Sequence, residues 1–259
     1  MTIWNGLGYF NTEVFGQRFD ANGNPQPQIV PISVIDPDQN PRGTASHDVI
    51  DGGSGNDTIK DLKGNDRLNG HDGDDLIIAG RGWDRITGGE GADTIEGRQG
   101  CDQIDGNAGN DHIKGGRGND QLHGSKGNDT ILGWRGNDTM TGGADNDRLS
   151  GGRGVDSDTF IFEKGNRVDT VKDFNIAEDQ IAVSSAFFGA NVDIEISFLN
   201  ALDFSQSQGW LEIRFGADRL RLHIEDADDF YDPSDQGLNW GEQLLVHIDR
   251  IVFYLSLMT

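Results

Sequence analysis

The chain of 259 residues has a single cysteine, Cys101. An internal disulfide is excluded, so the fold must take its stability elsewhere, from packing or from bound metal. Basic residues are scarce: 21 Lys and Arg stand against 44 Asp and Glu, a formal net charge of −23. That balance offers no basic face to a phosphate backbone and excludes DNA and RNA as partners. No apolar run reaches the length of a membrane-spanning helix. The first ten residues, Met1 to Phe10, lack a basic start and an apolar core, so a cleaved Sec signal peptide is not expected there. Catalytic signatures are missing as well. There is no His-Glu-x-x-His zinc motif and no Gly-x-Ser-x-Gly nucleophile elbow. The six histidines (His47, His71, His112, His123, His223, His247) are scattered and do not suggest a zinc site. Acidic pairs such as Asp74-Asp75 and Asp228-Asp229 read better as solvated carboxylates or cation ligands than as a glycosidase pair. The chain reads as a protein without an enzymatic site.

What the chain has in quantity is glycine, 38 residues, and a repeat that uses it. From Gly43 the sequence runs in nines without a slip. Asp48, Asp57, Asp66, Asp75, Asp84, Asp93, Asp102, Asp111, Asp120, Asp129, Asp138, Asp147 and Asp156 are each nine apart. Two residues after each of the first twelve comes Ile, Leu or Met, and two before most of them comes Gly. A full copy is Gly115-Gly116-Arg117-Gly118-Asn119-Asp120-Gln121-Leu122-His123.

The first six positions are turn chemistry, because Gly, Asn and Asp accept the left-handed backbone region. Positions seven to nine are a brief strand with one inward apolar side chain at position eight. So short a strand is stable only when copies stack at about 4.8 Å per layer and bury a continuous apolar row. Two nonapeptides complete one coil of eighteen residues, so odd repeats turn at one edge and even repeats at the other. The expected fold is all-β: a right-handed parallel β-roll over residues 43–159, followed by a C-terminal antiparallel β cap over 160–259. Stacking also puts the aspartates in two columns. Like charges about 5 Å apart repel by several kcal/mol at intermediate dielectric. A hard divalent cation between turns removes that repulsion, and Ca²⁺ suits an irregular cage of carboxylate and carbonyl oxygens better than Mg²⁺. Without calcium, so acidic and glycine-rich a segment is expected to be disordered.

The nonapeptide Gly-Gly-x-Gly-x-Asp-x-U-x, U being a large apolar residue, resembles that of the RTX (repeats-in-toxin, hemolysin-type) calcium-binding family. The resemblance implies several bound Ca²⁺ ions, each held between turns n and n+2, with the position-six aspartates as side-chain ligands. It also implies a secreted, extracellular protein, exported in one step by a type I exporter that reads an uncleaved C-terminal signal. Phe160–Phe162, Val168–Phe174 and Glu178–Val183 are strand-like and resemble the segment after the roll in serralysin-type RTX domains.

The ends of the chain are less regular. Residues 1–42 carry Trp4, Tyr9, Phe10, Val14, Phe15 and Phe19, enough apolar material for a cap over the first coil, or else a linker from a longer protein. Ile29–Ile35 reads as a strand that Pro31 confines to a sheet edge. The first repeat, Gly43-Thr44-Ala45-Ser46-His47-Asp48, is degenerate, and Asp61-Leu62 replaces a glycine pair. A two-residue insertion follows Asp156, so Asp158 competes with it as the last ligand. Strict alternation over Trp210–Phe215 and Leu220–Glu225, with a turn between, reads as a β-hairpin. Leu244–Leu255 reads as a terminal strand or as the apolar end of an export signal.

One asymmetry remains. Position three on the odd edge includes Lys63, Arg81, Arg117, Arg135 and Arg153, and Trp83 and Trp134 belong to odd repeats. This edge could dock an acidic polysaccharide, as the RTX modules of alginate epimerases do, or its cations could soften the aspartate column beneath. Three functional readings follow: a calcium-folded secreted protein, a polysaccharide-binding or adhesin module, and a detached C-terminal targeting domain of an RTX enzyme.

Overall fold

The computed structural model describes residues 38, 40–152, 154–163, 165, 167–175 and 178–183, and the strand backbone of 31–33, 194–199, 209–215, 218–224 and 251–252. Among these residues every regular element is a strand. Strands alternate between two sheets. The first sheet holds β1 (Pro31–Ser33), β2 (Val49–Ser54), β4 (Arg67–Asp72), β6 (Arg85–Glu90), β8 (Gln103–Ala108), β10 (Gln121–Lys126), β12 (Thr139–Ala144), β14 (Thr159–Phe162), β16 (Gln180–Val183) and β20 (Ile251–Val252), in that order. The second runs from β3 (Thr58–Lys60) through β5 (Leu76–Arg81), β7 (Thr94–Gln99), β9 (His112–Arg117), β11 (Thr130–Arg135) and β13 (Arg148–Ser150) to β15 (Val168–Phe174). Every strand from β2 to β13 pairs in parallel with the strand two places on, as the eighteen-residue coil requires. Odd and even repeats thus turn on opposite edges.

The strands are longer than the three residues expected. A full strand has six, covering positions seven to nine and one to three of the next repeat, as in β9. The reason is translational. Each layer is nearly identical to the next, so backbone groups meet their counterparts even through the glycine pair, as Arg98 does with Gly116 and Gln99 with Arg117. Pairing continues round the turn: the Gly100 N–H donates to the Arg117 carbonyl and the Gln103 N–H to the Asp84 carbonyl, both at 2.8 Å.

Position eight fills the interior. Ile50, Leu68, Ile86, Ile104, Leu122, Met140, Phe160 and Ile181 form one inner row. Ile59, Ile77, Ile95, Ile113, Ile131, Leu149 and Val171 form the other, and all of these side chains are buried. Burying each aliphatic side chain contributes about 1.5–3 kcal/mol, so apolar stacking and the turn chemistry act together.

Past the last full repeat, β14, β15 and β16 stay in register with the roll: Met140 pairs with Phe160, Leu149 with Val171 and Phe160 with Ile181. The expected hairpin is present as β18 (Gly209–Phe215) antiparallel to β19 (Asp218–Ile224), with β17 (Ile194–Leu199) antiparallel to β18. The hairpin joins the second sheet through a parallel pairing of β19 with β15. Pro31 does lie in β1, which among the described strands is at the sheet edge and pairs with β2 alone. The N-terminal cap expected from Trp4 to Phe19 lies outside the described residues. So does Leu244–Leu255 apart from β20.

Candidate metal centre

The position-six aspartates are in two columns, joined by a repeated bond. In the first column, the Asp48 N–H donates to Asp66 Oδ1 at 2.7 Å. The bond recurs from Asp66 to Asp84, Asp84 to Asp102, Asp102 to Asp120 and Asp120 to Asp138 at 2.8–2.9 Å. In the second, Asp57 donates to Asp75, Asp75 to Asp93, Asp93 to Asp111, Asp111 to Asp129 and Asp129 to Asp147 at 2.7–2.8 Å. One oxygen of each accepting carboxylate is therefore committed to holding the coil before it.

The other oxygen faces inward. Oδ2 of Asp66, Asp75, Asp84, Asp93, Asp102, Asp111, Asp120, Asp129, Asp138 and Asp147 is buried and has no hydrogen-bond partner. A glycine at position one makes room for it. A Cβ on Gly97 would stand 2.5 Å from Asp102 Oδ2 and 2.8 Å from the Gly115 carbonyl oxygen. Carboxylate and peptide oxygens thus converge where a side chain is missing. Glycine at position four serves the backbone instead: Gly118 has φ of 124°, open to glycine at little cost.

The electrostatics match the geometry. Burial raises the carboxyls of Asp75, Asp93, Asp111 and Asp158 to about 6, and those of Asp84, Asp102, Asp120, Asp129, Asp147 and Asp179 to about 7. Asp138 is pushed to about 8. The backbone N–H bond opposes the rise, and neighbouring column carboxylates add to it, as Asp102 and Asp66 do at Asp84. Buried, half-satisfied carboxylates in a row need protons or a cation. The donors are all hard oxygens, so the residues fit Ca²⁺, which when bound would neutralise the columns and fill the second lone-pair set.

The C-terminal end resolves the competition between Asp156 and Asp158. Asp158 is in the column, accepting the Asp138 N–H at 2.8 Å, and the two-residue insertion is absorbed before it. Asp156 stands beside the column, with its Oδ2 accepting the Gly136 N–H at 3.1 Å. The columns also hold two members that the nine-residue count does not reach. Asp169 accepts the Asp147 N–H and Asp179 accepts the Asp158 N–H, both at 3.0 Å. Each opens a triplet of Asp, any residue and an apolar residue: Asp169-Thr170-Val171 and Asp179-Gln180-Ile181.

Position five builds a second, outer ladder. Asn119 Oδ1 accepts the Asn137 N–H at 3.0 Å, and Asn128 Oδ1 that of Asn146 at 3.2 Å. This ladder runs in the opposite direction to the aspartate one, which explains the recurrence of Asn there.

The basic ladder is also assembled. Arg81 pairs in register with Gln99, Gln99 with Arg117, and Arg117 with Arg135. Lys63, Arg81, Arg117 and Arg135 are exposed, and among the described residues none of them forms an ion pair. Arg153 lies outside the described residues. The two tryptophans are exposed but do not share a column. Trp134 is within β11, opposite Gly116, whereas Trp83 is at the turn, donating its N–H to Asn65 Oδ1. Trp134 lines a shallow groove of about 380 Å³ with Glu96, Arg98, Gln99, Lys114 and Arg117.

Residues 42–60 and 62–158 match the family of the RTX calcium-binding nonapeptide repeat. No curated protein matches the chain in sequence. Among solved structures, a solution structure of the AlgE6R3 subunit from the Azotobacter vinelandii mannuronan C5-epimerase is similar at 23% identity and a TM-score of 0.35, over 66% of this chain and 82% of that one. The extracellular lipase LipA from Serratia marcescens is similar at 20% identity and a TM-score of 0.30, over 81% of this chain but only 40% of the lipase.

Proposed function

We propose that this chain, a calcium-binding protein of the RTX repeat family, is a secreted protein whose roll folds on meeting extracellular calcium. The observation that carries the reading is the set of buried Oδ2 atoms without partners. Leaving buried charges unpaired is costly, so the metal-free roll is destabilised by its own ligands. Extracellular calcium modules bind at about 10⁻⁴–10⁻³ M. At about 1 mM calcium a site of about 10⁻⁴ M adds about 1.4 kcal/mol to folding. Several sites acting together reach the about 5–15 kcal/mol of a typical domain. In calcium-poor cytosol that support is missing, the chain stays unfolded, and it remains fit for a type I exporter. Outside, it folds and cannot return. The role assigned is non-catalytic. Far-ultraviolet circular dichroism during a calcium titration tests this: a cooperative coil-to-β transition near millimolar calcium, absent with magnesium, is the expected result. A chain already folded in chelator would refute the switch.

A second reading rests on the basic column. Cations that have no carboxylate partner are available to an external anion, and their spacing follows the coil. The fitting partner is an acidic polysaccharide lying along Lys63, Arg81, Arg117 and Arg135, with Trp134 beside it. Replacing Arg81, Arg117 and Arg135 together by Ser is expected to abolish retention on an alginate column at equal calcium content. Undiminished retention would sink the idea.

A further inference from the structure

The first column ends in a cluster that the repeat does not explain. Position one is Gly, or Ala at residue 79, in every other repeat, but it is Asp61 in the third. Residue 61 is also the one residue between 42 and 158 that falls outside the family match. Its carboxylate points into the roll and lies against Gly43, the position-one residue one coil earlier. A Cβ on Gly43 would come 2.5 Å from Asp61 Cγ, so that glycine is the cradle for this carboxylate. Asp48, Asp61 and Asp66 each bring an oxygen within 4.8 Å of the others.

Three buried carboxylates here have few partners. Asp48 Oδ2 accepts from the Thr44 N–H at 2.6 Å and from the Thr44 hydroxyl at 2.8 Å. Asp66 Oδ1 accepts the Asp48 N–H. Asp66 Oδ2 and both oxygens of Asp61 make no well-formed hydrogen bond, although Asp61 is only 4% exposed and interacts with the Asp66 carboxyl and the Leu62 N–H. Arg42, Lys60 and Arg98 line a cavity of about 260 Å³ beside Asp61. None of them forms an ion pair with it, so the described residues supply no neutralising charge of their own.

We propose that Asp61 joins Asp48 and Asp66 to turn the first site of the column into a three-carboxylate cation site, which binds Ca²⁺ most tightly of all and fills first. The proposal rests on the reading that the columns bind calcium. Oxygen-site affinity rises with the number of charged ligands and with rigidity. This site has a carboxylate more than the repeat provides, set on a glycine cradle. Filling it first fixes coil one against coil two and gives the later coils a template.

The test uses the full chain, isothermal titration calorimetry with calcium chloride, and two variants. Asp61→Gly restores the repeat, so a consensus argument expects equal or better binding. The three-carboxylate site instead requires that the first-ion affinity falls about tenfold or more, to that of the repeated sites. Asp61→Asn keeps the volume and one oxygen but removes the charge, and is expected to weaken the first ion without altering the β content at saturating calcium. Unchanged or tighter first-ion binding in both variants would overturn the site and leave Asp61 as a carboxyl held against Asp66. A wild-type chain that takes up no calcium would refute the calcium reading itself, which is a separate outcome.

Discussion

The two oxygens of Asp120 have different fates: Oδ1 accepts the Asp102 N–H at 2.8 Å, while Oδ2 is buried without a partner. Asparagine could replace the first role but not the second, because its amide nitrogen is a donor and cannot ligate a cation. Position five, where only the acceptor role exists, is accordingly Asn in much of the roll, as at Asn119 and Asn128. The same distinction separates Asp158 from Asp156. Asp158→Asn is expected to keep its bond to the Asp138 N–H and yet lose an ion, costing about 1.4 kcal/mol at about 1 mM calcium. Asp156→Asn, off the column and still able to accept from Gly136, is expected to stay within about 0.5 kcal/mol of the parent. Thermal unfolding with and without calcium reads both. Equal losses would mean that the insertion leaves either aspartate able to serve.

At the scale of the strand, legibility in the sequence follows periodicity. The alternation of Ile and Leu with Asp over residues 43–156 specifies the coil, the two sheets and both columns, since a strict eighteen-residue translation leaves no other register. Strand length is not legible, because it depends on neighbouring layers pairing through Gly115-Gly116 rather than on the propensity of those glycines. Asp169 and Asp179 escape the count because their spacings from Asp147 and Asp158 are 22 and 21 rather than eighteen. The triplet of aspartate, spacer and apolar residue persists there after the glycines are gone, and reading triplets instead of whole repeats would find them. Trp83 and Trp134 share odd repeats but differ in position, five against two. That difference separates a turn from a strand, and parity alone does not reveal it. Asp61 is visible as a departure from the glycine pair. Its meeting with Asp48 and Asp66 needs the fold, since it depends on Gly43 leaving space one coil away.

At the scale of the molecule, a chain with net charge −23 concentrates negative charge along the inside of its own turns. Protons and calcium can each relieve this, and only the first makes stability depend on pH in this range. The ordinary aspartate value of 3.8 rises in the roll to about 6 at Asp75, about 7 at Asp102 and about 8 at Asp138. Between about pH 4 and pH 8 the folded, metal-free roll therefore binds more protons than the unfolded chain, and its stability falls as pH rises through that window. Calcium requires the same carboxylates ionised, so its affinity for the folded roll rises with pH, but at saturation both the bound roll and the unfolded chain are ionised above about pH 5 and the fall in stability disappears. In chelator, circular dichroism is expected to show more β-structure at pH 5 than at pH 8. At saturating calcium the melting temperature is expected to be level between pH 5 and pH 8. The loss of the metal-free trend on adding calcium is the signature of columns that hold either protons or metal. A metal-free chain with as much β-structure at pH 8 as at pH 5 would mean that the columns are not what opposes folding, and the calcium switch would lose its physical cause.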